Sequence, residues 1–384
     1  MESQLAEVRA ALSQSGESTF EGAKAKAELV VQELNNVTLN IAVTGVTGAG
    51  KSSFVNALRG VQDYEEGAAP TGAEKSTMTP TMYRHPTMPN VNIWDLPGIG
   101  TENFTAKKYM KKVNFNAYDV FLILTSTRLR EYDIMLAKEI EKNKKNVYFI
   151  RTKVDQDVDA EKRKGKTEEQ TLSLIRHALK EKLKDLGSTH IFLVSCWELH
   201  KFDFNKLICV LEKDLPDNKR NALIQSLSVY SMEILDKKYN TFEKAIWFSA
   251  FASGAVGAIP VPGVSAAFDF PVITAFLTSY YFSFGLNEKS LTKLSDRVNK
   301  SIRAKIHESE LIKVIAARSM ACLAVELSSY LASEGLEGGL KVIPILGIVA
   351  GAVLSFSTTL LVLRKGSDEL YRAAKEVVEM AGIE

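Results

Sequence analysis

The chain has 384 residues, of which 46% are hydrophobic and 24% are charged, a composition typical of a folded globular protein. This composition argues against a largely disordered chain, a collagen-like repeat and a protein that lies mostly in lipid. The 48 basic and 46 acidic residues give a net charge of +2, which does not indicate nucleic acid as a partner.

Residues 1–37 are predicted to be helical, because apolar residues recur there at spacings of three and four. From residue 38 to residue 216, short apolar strands alternate with helical stretches, which predicts a mostly parallel sheet with helices on both faces. The predicted strands are 38–44, 91–94, 120–124, 147–150 and 191–194, with an antiparallel edge strand near 81–84, and the predicted helices are 51–59, 104–115, 133–143, 168–186 and 204–214.

Beyond Pro216 the sequence carries no strong strand signal. Residues 218–244 and 288–320 predict mixed-charge helices, and residues 364–384 predict a polar helix. We therefore expect an α/β domain over 38–216 and an all-α domain over 217–384, with the N-terminal helical segment 1–37 packing on the all-α domain.

Two long stretches of the C-terminal half, 245–268 and 342–363, contain no charged residue. A helix over the second stretch would be about 33 Å long, enough to cross the core of a bilayer. Pro260 and Pro262 interrupt the first stretch. Two interpretations stay open: helices buried within the all-α domain, or helices that insert into or attach to a membrane.

The three cysteines, Cys196, Cys209 and Cys322, are widely spaced and predict neither a zinc site nor a disulfide framework. They favour a reducing, cytoplasmic location. The first residues lack the pattern of a secretory signal, and Glu2 stands where N-myristoylation would need glycine.

Residues 45–52 read Gly-Val-Thr-Gly-Ala-Gly-Lys-Ser and fit the phosphate-loop pattern between a predicted strand and a predicted helix. In such a loop, backbone N–H groups and the helix N-terminus surround phosphate oxygens. Lys51 can reach the β- and γ-phosphates, and the Ser52 hydroxyl can bind Mg2+. The predicted nucleotide contacts here are Gly45, Thr47, Gly48, Ala49, Gly50, Lys51, Ser52 and Ser53.

Asp95-Leu-Pro-Gly98 ends the next strong strand. An acid at that position can hold Mg2+, usually through water, and Gly98 can offer its backbone N–H to a γ-phosphate.

Thr152-Lys153-Val-Asp155 follows a later strand. The Asp155 carboxylate can accept from N1–H and N2–H2 of guanine together, a donor pair that adenine lacks. Ser195 and Cys196 follow the last strand and fit a weaker base-contacting loop. In this order, the elements predict a guanine-nucleotide-binding domain with GTP or GDP and Mg2+ as ligands.

The connection over 60–90 holds three candidates for a switch threonine, Thr71, Thr77 and Thr79, and the following Gly72 favours Thr71 as a Mg2+ ligand. Ile99 stands where Ras-like enzymes have a glutamine that orients the attacking water. Glu74 is a candidate for that role, with a solvated loop charge as the alternative. We therefore expect slow hydrolysis unless a partner completes the site.

These motifs lie within longer runs of sequence: 41–60, 66–72, 92–100, 118–119, 127–128, 151–155 and 214–216, with a looser match at 284–286. In these runs the chain resembles the immunity-related GTPases, the interferon-inducible, dynamin-like family of vertebrates. Lys51 matches the GKS class of that family. The family's catalytic glutamate falls on Lys75, one residue after Glu74, and the myristoylated glycine of many relatives does not carry over to Glu2.

The resemblance implies a GTPase domain on a helical domain built from both termini. It also implies a nucleotide-dependent homodimer through the GTPase domain that assists hydrolysis, and action on intracellular membranes in cell-autonomous immunity. The alternative, which Ile99 favours, is a nucleotide-gated membrane scaffold or binding protein with little turnover.

Overall fold

The computed structural model describes residues 37–72, 77–88, 90–99, 105–186, 190–257, 273, 276–298, 310–316 and 348–382. One compact unit comprises Val37–Ser228, and a second contains the described residues from Val229 onward. The division falls after Ser228 rather than after Pro216, so a helix over Asp217–Ser226 belongs to the first unit. The segment 1–37 was predicted to pack on the all-α domain; its residues 1–36 lie outside the described residues, and Val37 belongs to the first unit.

The first unit is built on a six-stranded sheet. Its strands are β1 (Leu39–Gly45), β2 (Thr81–Arg84), β3 (Val91–Asp95), β4 (Val120–Thr125), β5 (Asn146–Arg151) and β6 (His190–Leu193). The strand order is β2-β3-β1-β4-β5-β6, and β2 pairs antiparallel with β3 while the other neighbours are parallel. This sheet confirms the predicted fold class and the antiparallel edge.

The strand sequences explain why the sheet is central. Every residue of β4, Val-Phe-Leu-Ile-Leu-Thr, is buried, as expected for a parallel strand that is covered on both faces. The strand order reverses beside β1, which lies between β3 and β4, and in sheets of this kind a ligand binds outside the carboxyl ends of the strands at such a point.

The helices of the first unit connect these strands. They are α1 (Lys51–Leu58), α2 (Ala106–Lys112), α3 (Glu131–Lys142), α4 (Val154–Lys162), α5 (Glu168–Leu183), α6 (Phe204–Asp214) and α7 (Asp217–Ser226), with a 3-10 turn at Phe115–Ala117. The sequence did not predict α4, which has one buried residue, Val154, and so lacks an apolar period.

The described part of the second unit is helical. Its helices are α8 (Met232–Gly257), α9 (Glu288–Val298), α10 (Glu310–Ala316) and α11 (Ile348–Ala381), and residues 276–283 are also helical. Helices α8 and α11 pack along each other, and α11 approaches the 276–283 segment closely because Gly366 has no side chain: a Cβ there would lie 2.5 Å from Leu277. Tyr280 and Leu363 lie in the shared core.

Helix α11 is one continuous helix over parts of two segments that were predicted separately, the uncharged stretch 342–363 and the polar tail 364–384. Residues 258–272 and 342–347, which belong to the two uncharged stretches or follow them, are outside the described residues. Among the helices that the structure describes, none combines the length and the apolar character needed to cross a bilayer.

Candidate nucleotide-binding site

The phosphate loop runs from the end of β1 to the start of α1. Gly45 has φ +137°, and a Cβ there would lie 2.1 Å from the Leu124 carbonyl oxygen, so only glycine fits beside β4. Gly48 and Gly50 also have positive φ values, +82° and +80°, which turn the loop toward the N-terminus of α1. This turn is the backbone shape that a phosphate-binding loop needs, and phosphate binding by its N–H groups stays a prediction.

Lys51 is the first residue of α1 and is 8% exposed. Its Nζ donates a hydrogen bond to the Val46 carbonyl oxygen at 3.2 Å. Burial lowers the pKa of Lys51, and the nearby Asp95 carboxylate partly opposes this shift. A buried ammonium group over the phosphate loop is compensated best by an anionic ligand such as a phosphate group.

Asp95 ends β3 and is 1% exposed. Its Oδ2 accepts hydrogen bonds from Ser52 Oγ at 2.8 Å and from Thr77 Oγ1 at 2.9 Å. Its Oδ1 is buried and has no hydrogen-bond partner among the described residues. A buried carboxylate with a free oxygen, beside two hydroxyl groups, is the all-oxygen donor set that Mg2+ prefers, so these residues fit that ion.

The switch threonines differ in their positions. Thr77 contacts Asp95, whereas Thr71, which the sequence favoured, is partly exposed two residues beyond Ala69. The carbonyl oxygen of Thr79 accepts a hydrogen bond from Thr81 Oγ1 at 3.1 Å. The roles of Thr71 in binding Mg2+ and in catalysis stay predictions, and Glu74 lies outside the described residues.

The segment after Asp95 is hydrogen-bonded to the phosphate loop. Leu96 N donates to the Val43 carbonyl oxygen at 2.9 Å, and Ile99 N donates to the Gly45 carbonyl oxygen at 3.3 Å. Gly98 lies against the loop, since a Cβ on it would be 2.8 Å from Thr47 Oγ1. Ile99 is 5% exposed, and its apolar side chain has no group that could orient a water.

The predicted base-reading motif lies beside this loop. Thr152 Oγ1 donates to the Ala49 carbonyl oxygen at 2.7 Å, which ties the motif to the phosphate loop. Lys153 adopts a left-handed conformation with φ +58° and precedes α4, and its Cε lies 4.0 Å from the position of a Cβ on Gly50. The aliphatic stem of Lys153 therefore runs along the loop, as expected for a residue that covers one face of a base.

Asp155 lies in the first turn of α4, and its Oδ1 is buried without a hydrogen-bond partner in the described part of the chain. A buried acceptor without a partner favours a ligand that donates N–H groups to it. Guanine has two such donors at one edge, N1–H and N2–H2, and adenine lacks this pair.

The turn after β6 is fixed by Ser195, which is fully buried and whose Oγ accepts from Trp197 N at 3.2 Å and Glu198 N at 3.3 Å. Removal from solvent raises the pKa of Cys196 to about 12, and Asp155 adds to that shift. The thiol is therefore in its neutral form at physiological pH.

Three further residues beside the predicted site were given no role by the sequence. Asn56 is buried on α1; its side chain donates to Asp63 Oδ1 at 2.8 Å and to the Ala69 carbonyl oxygen at 2.9 Å, and accepts from Ala69 N at 2.7 Å, which holds the start of the 60–90 connection. Arg151, also buried, donates to the Thr152 carbonyl oxygen and to the carboxylate of Asp157.

The third such residue is Tyr109 of α2. Its hydroxyl group contacts Thr44 Oγ1 at 2.5 Å and the Pro97 carbonyl oxygen at 2.9 Å. One feature of the sequence could have identified all three side chains: each places a polar group among apolar residues of the same helix or strand.

Comparison with known proteins adds independent information. The family model described as Interferon-inducible GTPase (IIGP) matches residues 13–343. Interferon-inducible GTPase 5 of Rattus norvegicus is 37% identical over 351 residues, covering 88% of this chain and 74% of that protein. T-cell-specific guanine nucleotide triphosphate-binding protein 2 of Mus musculus is 39% identical over 291 residues, covering 74% of this chain and 70% of that protein.

A solved structure of Era in complex with MgGDPNP and nucleotides of 16S ribosomal RNA is more distant. It is 19% identical, with a TM-score of 0.32, and covers 47% of this chain and 58% of that chain. This similarity is too weak to support a functional argument.

Proposed function

Since this chain belongs to the interferon-inducible GTPase family, we propose that it binds GTP together with Mg2+ and hydrolyses GTP to GDP and phosphate. The observation that carries the proposal is a pair of buried carboxylate oxygens, Asp95 Oδ1 and Asp155 Oδ1, that have no hydrogen-bond partner among the described residues. One is completed by a hard cation and the other by the N–H edge of guanine, so a single ligand, Mg2+–GTP, accounts for both.

In hydrolysis, water attacks the γ-phosphorus and the bond from that phosphorus to the oxygen bridging the β-phosphate breaks. The phosphate-loop N–H groups and Lys51 stabilise the negative charge on the phosphate oxygens, and the N–H of Gly98 is available to the γ-phosphate. Ser52 and Asp95 would hold Mg2+, which supplies further charge neutralisation when bound.

A second copy of the chain would complete the site. Ile99 is buried and does not orient water, so the attacking water must be positioned by another group. Two exposed side chains, Met78 and Trp197, are the immediate neighbours in sequence of the site residues Thr77 and Cys196. A third, Tyr64, follows Asp63, the hydrogen-bond partner of Asn56. Exposed apolar groups around a binding site favour a protein contact there, which supports a nucleotide-dependent homodimer through this unit.

The membrane part of the proposal is peripheral attachment to intracellular membranes, in cell-autonomous immunity. Support comes from the family membership. Carbonate extraction of membranes from cells expressing the full chain tests it. A peripheral protein moves into the supernatant at alkaline pH, whereas retention in the pellet would contradict peripheral attachment.

The alternative function is a nucleotide-gated binding protein that hardly turns over, and buried Ile99 is the observation that favours it. This protein would bind GTP and Mg2+ as tightly, so binding alone does not separate the two functions. Turnover measured against protein concentration does.

Nucleotide binding itself is tested by changing Lys51 to alanine. Equilibrium titration with fluorescent GDP and GTPγS should show at least a hundredfold loss of affinity, because the buried ammonium group that compensates the phosphate charge is gone. Lys138→Ala, at an exposed position on α3, is the matched control and should bind like the wild type. Unchanged affinity in Lys51→Ala would contradict the assignment of the phosphate site.

A further inference from the structure

A buried tyrosine outside the motifs connects three parts of the nucleotide site. Tyr109 lies on α2, is 7% exposed, and places its hydroxyl group between Thr44 and Pro97. Thr44 is fully buried and directly precedes Gly45, the first residue of the phosphate loop. Pro97 belongs to the Asp95–Gly98 motif.

The direction of this hydrogen-bond chain follows from the chemistry of its members. The Pro97 carbonyl oxygen can only accept, so the single hydroxyl proton of Tyr109 is donated to it at 2.9 Å. The Thr44 hydroxyl is then the donor in its 2.5 Å contact with the Tyr109 oxygen. Burial raises the pKa of Tyr109 well above its ordinary value, so the tyrosine stays a neutral donor at physiological pH.

The carbonyl group that Tyr109 binds belongs to the Pro97–Gly98 peptide, whose N–H is the predicted contact of the γ-phosphate. Pro97 C=O and Gly98 N–H are the two halves of one planar trans peptide unit, so they point in opposite directions. Holding the oxygen therefore holds the N–H, and rotation of this peptide would break the bond to Tyr109. Gly98 lies against the phosphate loop at Thr47, so this peptide borders the loop that would surround the phosphates.

We propose that Tyr109 is a positioning residue that fixes the Pro97–Gly98 peptide so that its N–H binds the γ-phosphate, and that it thereby sets the preference of the site for GTP over GDP. This inference rests on the proposed function, because it needs a GTP site at the phosphate loop. The same chain of hydrogen bonds connects the phosphate loop, through Thr44, to α2, which carries Tyr109.

The test is the ratio of GTPγS affinity to GDP affinity in Tyr109→Phe, which removes only the hydroxyl group. Both affinities are measured by titration with Mg2+ present. The GTPγS affinity should fall about tenfold, the value of one well-placed hydrogen bond, while the GDP affinity stays within about twofold. Equal weakening of both nucleotides, or no change in the ratio, would overturn the inference, because a purely structural hydroxyl does not distinguish the two ligands.

The matched control is Tyr118→Phe. Tyr118 is also buried in the first unit and donates its hydroxyl to a backbone carbonyl oxygen, that of Val113, at 2.7 Å. This variant loses the same type of bond and should lose similar thermal stability, yet its ratio of GTPγS to GDP affinity should match the wild type. A shift in its ratio equal to that of Tyr109→Phe would overturn the specific role of Tyr109.

If Tyr109→Phe does not fold, Thr44→Val decides. Valine keeps the shape of threonine but removes the donor to the Tyr109 oxygen, so the ratio should shift in the same direction by a smaller factor, about threefold. An unchanged ratio in Thr44→Val would then overturn the inference. A wild-type chain that binds neither nucleotide would instead refute the proposed function, a result visible before any variant is made.

Discussion

At the scale of single residues, the site is defined by groups that are costly to bury without a ligand. Asp95 and Asp155 each leave one buried oxygen without a partner in the described residues, and such an oxygen destabilises a fold by about 1–3 kcal/mol. Lys51 is buried beside them. Ligand binding satisfies these buried groups, so the free energy that they cost in the ligand-free form is recovered in the complex.

Changing Asp155 to asparagine tests how the base is read. An amide cannot accept from N1–H and N2–H2 of guanine together, so GTP affinity should fall by about a hundredfold while xanthosine triphosphate gains affinity. Competition of the two nucleotides against a fluorescent GDP gives the measurement. Asp159→Asn, at an exposed position on the same helix, should keep the preference for GTP. Retained GTP preference in Asp155→Asn would refute the base assignment.

The residue roles that could be predicted are those for which a motif sets residue type and position together, as for Lys51 and Ser52. The sequence favoured Thr71 among three threonines and gave no sign of the hydrogen bond between Thr77 and Asp95, because that contact depends on the path of a loop and not on a local period. Tyr109 also escaped prediction, since it bonds to Thr44 across 65 residues of sequence.

At the scale of elements, the strands were the most predictable features. Buried parallel strands such as β4 are continuous apolar runs with few alternatives. Helix α4 was missed because it has one buried residue, Val154, and so no apolar face; the acidic residues in its first turn favour a helix there but are a weak signal. Helix α11 was predicted as two segments because its first half is uncharged and its second half is polar, although the two halves form one continuous helix.

We expect the stability of the fold to depend on pH through Asp133, which lies in the first turn of α3. Asp133 is fully buried and accepts from Arg130 N at 2.9 Å, and burial raises its pKa to about 6. The native chain thus keeps this proton at pH values where the unfolded chain has lost it. The resulting stabilisation is fully present below about pH 4, the value for an unfolded aspartate, and is lost as the pH rises through about 6.

Asparagine at position 133 removes this titration. The free energy of unfolding of the wild type, relative to Asp133→Asn, should therefore fall by about 2 kcal/mol between pH 4.5 and pH 7 in urea melts. Glu131→Gln removes an exposed carboxylate from the same first turn and serves as the control. A difference between wild type and Asp133→Asn that is constant with pH would show that Asp133 does not titrate in this range.

At the scale of the whole molecule, alternation of strands and helices predicted the α/β unit, and the absence of strand signals predicted helices after it. The boundary between the two units was harder to predict. Pro216 resembles the end of a domain, but α7 follows it and buries Leu223 and Ile224 in the first unit. No local pattern distinguishes a last helix of one unit from the first helix of the next. The packing of residues 1–36 on the helical unit stays a prediction.

The central claim, that this chain is a GTP-hydrolysing enzyme whose site is completed by a second copy, is tested most directly by one combined measurement. Phosphate release per molecule and particle size are recorded together over a wide series of protein concentrations, with GTP and with GDP. The account predicts that the rate per molecule rises with concentration and that larger particles form with GTP. A negligible rate that stays flat across the series, with no change in particle size, would contradict it.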